Sequence, residues 1–386
     1  MALRGEAFGL YGRYLYKMHT YRMRLPSIAE GRKALSMPST RLFARNRFLC
    51  ALLALLALAT APARAGETRE ITDMAGRKVV IPADPRRVFG AAPPVAVTLY
   101  AIAPERLIGI NVPLRGDEKS LYRKEAVDLP ALGSNAGMGR QLNLEEIAAM
   151  HPDLVIAWLG FYQEKGQVEA SFAKINVPVI FLKLDTLDDY ADAFAFLGRV
   201  FGREAQANEM AAYIRDALAR VRKATADIPP AERLRVYYAE SPDGLATDCD
   251  KSFHTEPILI AGGDNIYHCE QTSHVGMEKI SVEQIVALKP SLILTQNKGF
   301  IALAKGSALW RNVEAVKNGR IVDVPHAPFN WLDRPPSYMR ALGVQWLANL
   351  FYPARFPLDV KAETKKFYRL FLGVDISDAD FSRIME

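Results

Sequence analysis

The sequence predicts an α/β protein of two doubly wound lobes joined by a single long helix, with a ligand cleft between the lobes. Three observations predict it. Leu142-Asn-Leu-Glu-Glu-Ile-Ala-Ala-Met-His-Pro-Asp-Leu-Val-Ile-Ala157 is echoed 138 residues later by Ile280-Ser-Val-Glu-Gln-Ile-Val-Ala-Leu-Lys-Pro-Ser-Leu-Ile-Leu-Thr295. Short apolar runs alternate with helical stretches on both sides of the chain's middle, the pattern of parallel sheets covered by helices. Between the two series lies the longest helical periodicity in the sequence.

Each copy of the repeat has a physical logic. Asn143 and Ser281 can accept from the free amides of a helix's first turn, and Glu146 and Gln284 stand where a capping box needs them. Pro152 and Pro290 stop each helix, and a wholly apolar run follows, as a strand buried on both faces requires. The unit is a short helix leading straight into a central strand.

The elements follow in order. Ile71 to Pro82 reads as two short strands around an Asp-x-x-Gly turn. Strands are then predicted at Arg87–Phe89, Leu107–Ile110, Leu154–Ala157 and Val179–Leu182, and in a second series at Arg235–Tyr238, Leu292–Leu294 and Ile321–Val324. A helix over Leu187–Phe201 ends at Gly202. From about Arg203 to Ala226, Ala207, Met210, Ala211, Ile214, Leu218 and Val221 share one face; at about 1.5 Å per residue this helix is roughly 36 Å long. Two lobes joined this way should move little against each other. The expected organisation is an upstream extension over 1–36, a leader over 37–65, a first lobe over 66–186, a helical connector over 187–228 and a second lobe over 229–386.

Charge excludes one class of function. The chain has 49 Lys and Arg against 43 Asp and Glu, but residues 1–65 hold 11 of the bases and only 2 of the acids. The rest is slightly acidic and shows no basic run, which argues against nucleic acid as a partner. Arg41, Arg45 and Arg47 precede an apolar run from Phe48 to Ala61 and then Ala63-Arg64-Ala65, the pattern of a cleaved secretory signal. Met37 is the better start, cleavage is expected after Ala65, and the run of about 14 residues is too short to span a bilayer, which takes roughly 20. No later segment is apolar enough to span, so the expected protein is exported, not membrane-spanning, and monomeric.

In open α/β sheets the ligand crevice lies beyond the carboxyl ends of the strands. That rule selects Arg115, Trp158, Tyr162, Trp331 and Arg334 as ligand-binding residues, with Phe161, Lys298 and Phe329 nearby, and the Cys/His cluster around Cys249 adds His254. Guanidinium groups suit anionic oxygens and rings suit flat ligands, although each side chain can equally pack the rim. The same geometry brings Glu145 and Glu283 to the open edge, one in each lobe. Either alone needs no more than the helix dipole to explain it. The matched pair suits a second role as anionic pins for a two-fold symmetric partner.

Cys249 and Cys269 are the only cysteines beyond the leader, an even number in an oxidising compartment, and a disulfide between them is the first reading. His254, His268 and His274 lie close by, so a direct metal role stays open, although the spacing fits no closed zinc pattern. No nucleophile-base motif, phosphate loop or His-Glu-x-x-His pattern occurs, so no enzymatic activity and no resident cofactor are expected. A secreted metalloenzyme or metal-inserting protein using the Cys/His cluster is the alternative of another class.

The opening Ile71-Thr-Asp-Met-Ala-Gly-Arg-Lys-Val-Val-Ile-Pro82 with Arg87-Val88, the two repeat units, and Gly262-Gly263-Asp264-Asn265 together resemble the periplasmic iron-siderophore and vitamin B12 binding proteins of ABC importers. The resemblance covers nearly all of 67–386. It implies two α/β lobes on a long helix, a shallow cleft, and one docking glutamate per lobe meeting arginines of the permease dimer that works with its ATPase; these fall on Glu145 and Glu283. The segment Phe329-Asn-Trp-Leu-Asp-Arg-Pro-Pro-Ser337 resembles a branch of generic iron transport, and other members bind molybdate, tungstate, or nickel and cobalt chelates. A ferric chelate in the periplasm is the expected cargo, with an oxyanion or another metal complex as the alternative.

Overall fold

A computed structural model describes residues 67–386 except 115, 135–139, 161–164 and 271–274. The expected extension, leader and cleavage site lie outside the described residues, as do Arg115, Phe161, Tyr162 and His274. No helix among the described residues is long and apolar enough to cross a membrane.

A hairpin of β1 (Thr68–Thr72) and β2 (Lys78–Pro82) opens the fold. Its turn is fixed by Asp73, whose carboxylate accepts from the amides of Ala75, Arg77 and Phe181, so that one side chain closes the turn and ties it to a strand of the first sheet. That sheet is parallel, in the order β3 (Val88–Gly90), β4 (Leu154–Trp158), β5 (Val179–Leu182). The second is also parallel, in the order β11 (Ile321–Asp323), β10 (Leu292–Thr295), β6 (Leu234–Ala239), β8 (Gly263–Asn265). A two-residue pair, β7 (Ala246–Thr247) with β9 (Glu278–Lys279), stands beside it.

The repeat strands β4 and β10 each have a neighbour on both sides and are buried along their whole length, which explains their unbroken apolar runs. Each is preceded by a short helix, α2 (Leu144–Ala149) or α7 (Val282–Leu288), after α1 (Pro93–Ile102) in the first lobe. Before the prolines, His151 and Lys289 both take φ of 47°, the same left-handed exit in both copies. The N-terminal ends differ. Ser281 and Gln284 form a reciprocal capping box, whereas Asn143 accepts from the amides of Glu145 and Glu146 but receives nothing back. Glu146 pairs with Arg140 instead, so the expected second box does not form.

The stretch expected as a strand at 107–110 makes only isolated bridges, Val88 with Leu107 and Ile110 with Ala131. Gly109 interrupts it, and a Cβ there would come within 2.5 Å of Leu132 and 2.8 Å of the Pro130 carbonyl. Conversely, β8 was not anticipated: Gly263-Asp264-Asn265 has no apolar signature and pairs only at the sheet edge.

Helix α4 spans Leu187–Phe201 and closes with Gly202 in the left-handed conformation at φ of 65°. Helix α5, Glu204–Thr225, follows; its 22 residues make it about 33 Å long. Its buried face is Ala207, Met210, Ala211, Ile214, Leu218 and Val221, the stripe expected from the sequence, with Tyr213 and Ala217 added. These residues share one core cluster with Leu154 and Ile156 of the first sheet and Val236 and Leu294 of the second. A common core along the connecting helix gives the lobes little freedom to swing.

Candidate functional site

The carboxyl ends of both sheets face a common region, and three contacts cross it. Trp158, the last residue of β4, meets Phe253 edge-on with ring centroids 5.7 Å apart, and Phe253 in turn lies on His254 at 3.9 Å. Tyr100 and Tyr122 hold Phe329 edge-on at 5.4 and 6.0 Å. At the start of α4, the amide of Leu187 donates to both oxygens of Glu256, at 3.0 and 3.2 Å, and Glu256 stands 3.6 Å from the fully buried Arg340. Glu256 opens α6 (Glu256–Ile260), and Arg340 opens α10 (Arg340–Phe351).

Trp158 is almost fully buried, and its indole N–H donates to Asp185 at 2.9 Å; Gly160 makes room, since a Cβ there would strike the same carboxylate. His254 is 4% exposed, with Nδ1 2.6 Å from Asp333 Oδ2. Burial alone would raise the Asp333 carboxyl, but His254, Arg334 and Arg340 more than offset it and hold it below its ordinary value. Arg334 donates from Nε to Glu240 at 2.7 Å, from Nη2 to Asp248 at 2.7 Å and from Nη1 to the Val275 carbonyl at 3.0 Å. Its own φ is 58°, so a non-glycine residue is held in the left-handed region by these partners. Glu240 is pushed well up by burial, opposed by Arg334 and reinforced by Asp248.

Trp331 requires a correction. It is fully buried, packs edge-on against Trp346 at 6.2 Å and sits over Gly343, so it offers no surface to a ligand and anchors its loop to α10. Lys298 is exposed at the start of α8 (Lys298–Gly306) and borders a pocket of about 270 Å³ with Glu118, Asp323, His326 and Arg383. Cys249 and Cys269 are disulfide-bonded with Cα atoms 5.1 Å apart, which removes both thiols from the list of metal ligands. His268 pairs with Asp250 at the surface, 3.0 Å away.

Sequence reasoning did not find Asp185, Glu240, Asp248, Phe253, Glu256 or Asp333. Asp333 adjoins Arg334 and Asp248 adjoins Cys249; buried acids beside residues already singled out were the available signal. Glu145 and Glu283 are both exposed, each the second residue of its capped helix. The Glu283 carboxyl is held below its ordinary value by its own backbone amide and, after it, by the Ser281 side chain.

Two parallel-sheet lobes on a rigid helix, with polar side chains gathered at the strand ends and between them, define a bilobed solute-binding protein. A profile of the periplasmic binding protein family matches residues 98–328, and the chain belongs to that family of solute-binding proteins. A solute-binding protein of an ABC transporter from Sulfurospirillum deleyianum shares 36% identity, with a TM-score of 0.76 over 82% of this chain and 98% of that one. The vitamin B12-binding protein of Vibrio parahaemolyticus is 25% identical over 64% of this chain and 83% of its own length. The molybdate-binding protein MolA of Haemophilus influenzae is 25% identical over 78% and 90%. This chain is thus an ABC-transporter solute-binding protein of the group that includes vitamin B12 and molybdate binders.

Proposed function

We propose that this protein captures a metal-bearing solute, a ferric chelate above all, in the cleft between its lobes and delivers it to a permease dimer through Glu145 and Glu283. The observation that carries the docking role is the duplication itself. Two exposed glutamates occupy the same position on two capped helices, each leading into an interior strand of its own sheet. A helix antiparallel to the strand that follows it begins at that strand's carboxyl edge, so both carboxylates belong to the edge where the cleft opens. The packed core along α5 favours a nearly rigid binder, which presents its two carboxylates at a fixed separation to a symmetric partner.

For the cargo, Trp158 at the end of β4, His254 and Arg334 are the contacts proposed among the described residues, with Arg115 and Tyr162 as further contacts. A metal complex is supported by the relatives named for vitamin B12 and molybdate, and by a haem-uptake protein of Staphylococcus aureus that is 22% identical over 52% of this chain. Arg334 is already engaged by Glu240 and Asp248, so a small oxyanion would have to displace two carboxylates to reach it. This favours an organic metal chelate, whose ligand shell supplies its own contacts, over free molybdate or tungstate. Native mass spectrometry with elemental analysis on protein taken from the periplasm tests the reading. Iron, cobalt or nickel with an organic mass supports it; molybdenum or tungsten with no organic mass refutes the chelate and leaves the oxyanion.

A further inference from the structure

Asp248 and His254 lie six residues apart in the loop between β7 and α6, and Asp333 comes from the loop before α10. All three are buried, and one donor atom from each lies within 4.8 Å of the others. We propose that these residues, with Glu240 beside them, form a site for one divalent transition-metal ion that the chain holds independently of the solute it carries. The site shares His254 with the cargo contacts proposed above, but it is defined with no solute present and does not depend on which solute is carried.

The first argument is charge. Asp248, Asp333 and Glu240 bring three carboxylates into one buried region, where, among the described residues, Arg334 pairs with all three and His254 pairs with Asp333. Buried carboxylates are costly unless matched by positive charge. A divalent ion would add positive charge to this buried acidic region beside Arg334 and His254.

The second argument is unused valence. Asp333 Oδ1 and Glu240 Oε2 are both buried with no hydrogen-bond partner among the described residues, in residues 0% and 4% exposed. Asp248 Oδ1 accepts a long 3.3 Å bond from Ser252. Unsatisfied carboxylate oxygens converging on an imidazole are the donors a cation needs. Gly276 packs its backbone against Asp248, since a Cβ there would stand 1.9 Å from Asp248 Oδ1, so the chain closes in on this edge of the cluster.

Donor chemistry narrows the ion. Metal–ligand bonds of about 2.0–2.2 Å put donors roughly 3–4 Å apart, so three atoms within 4.8 Å need only small side-chain shifts to converge. One imidazole with carboxylates suits Zn²⁺, Mn²⁺ or Ni²⁺ better than Ca²⁺ or Mg²⁺, which prefer oxygen alone. Arg334 stands on Asp248 and lies 3.6 Å from Asp333, closing one side of the site. The bound ion would tie the Asp333-Arg334 loop to the segment carrying Phe253, the ring on which Trp158 rests.

The test uses the full exported chain, stripped with a chelator and titrated calorimetrically with ZnCl₂, MnCl₂ and NiCl₂ in separate runs, with no organic ligand. We expect saturable binding of one ion per chain for at least one metal. His254→Gln and Asp248→Asn should each weaken it by at least about 10-fold, the lower bound seen for losing even an outer-shell partner of a ligand. His268→Ala, which removes the exposed histidine beside Asp250, should leave it unchanged. X-ray absorption of the loaded wild-type chain keeps the question decidable if a buried variant fails to fold, and should report a single imidazole among oxygen donors. Absence of saturable binding by all three ions overturns the proposal. So does binding that survives His254→Gln and disappears with His268→Ala, or a spectrum without imidazole.

Discussion

Gly343 offers a direct test of how the site loop is held. It lies inside α10, where replacing glycine by alanine ordinarily stabilises by about 1 kcal/mol through the backbone entropy alone. Here a Cβ would lie 1.9 Å from the Trp331 carbonyl oxygen and 2.9 Å from its carbon. The obstruction is backbone, tethered by the Trp331 amide bond to Pro325 at 2.9 Å, so it cannot rotate away as a flexible side chain would. Overpacking of this kind costs about 1–3 kcal/mol, and the upper part of that range applies when main chain must move. Set against the helix gain, Gly343→Ala should lose roughly 1–2 kcal/mol net. The displacement also begins two and three residues before Asp333 and Arg334, so it should loosen their bonds to His254, Glu240 and Asp248. Gly306→Ala is the matched control: it ends α8 with nothing within 4 Å of the new methyl, and should be neutral or gain up to about 1 kcal/mol. Urea unfolding of the three chains with a shared m-value gives the comparison. A Gly343→Ala chain as stable as wild type would refute the close-packing argument.

Other consequences are open to measurement. Ser281→Ala and Asn143→Ala each remove a cap, from Gln284 in the first case and from Glu145 and Glu146 in the second, and each should cost about 1 kcal/mol in chemical denaturation; no loss in either would mean that packing alone defines the helix starts. Cys249→Ser with Cys269→Ser opens a loop spanning 20 residues and should cost roughly 3 kcal/mol, read as a lower urea midpoint than the oxidised wild type. Burial raises the Glu256 carboxyl above its ordinary 4.5, with Arg340 offsetting only part of that. The folded chain therefore holds this proton more tightly than the unfolded chain, and the group's contribution to stability falls as pH rises from 4.5 through the raised value. Glu256→Gln removes that dependence, so the variant should gain on wild type across this window; a difference that is flat or of opposite sign would show that Arg340 dominates.

What the sequence revealed follows from which forces are local. The repeat was readable because capping, a proline stop and a two-sided strand each act within a few residues, and the long helix because its face is periodic. The interrupted stretch at 107–110 looked like a strand by apolar content, but Gly109 and the approach of Leu132 are tertiary facts. Edge strand β8 left no apolar signal because only one neighbour covers it. The same division governs the site. Trp158 and Arg334 were found by position relative to strand ends, and His254 by its place in a Cys/His cluster. Trp331 met the same criterion yet turned inward, because its loop docks on a glycine in α10, a contact between residues 12 apart. Asp248, Glu240 and Asp333 were missed because acidic residues in loops are usually solvated; only the folded chain brings them together around one arginine.

The account rests on the duplicated glutamates as the delivery device, and transport against binding separates that role from all others. Glu145→Ala with Glu283→Ala should leave the affinity for the metal-bearing solute unchanged in solution while abolishing its uptake by cells that depend on this protein. Undiminished uptake, or a fall in solute affinity that accounts for the lost uptake, would contradict it.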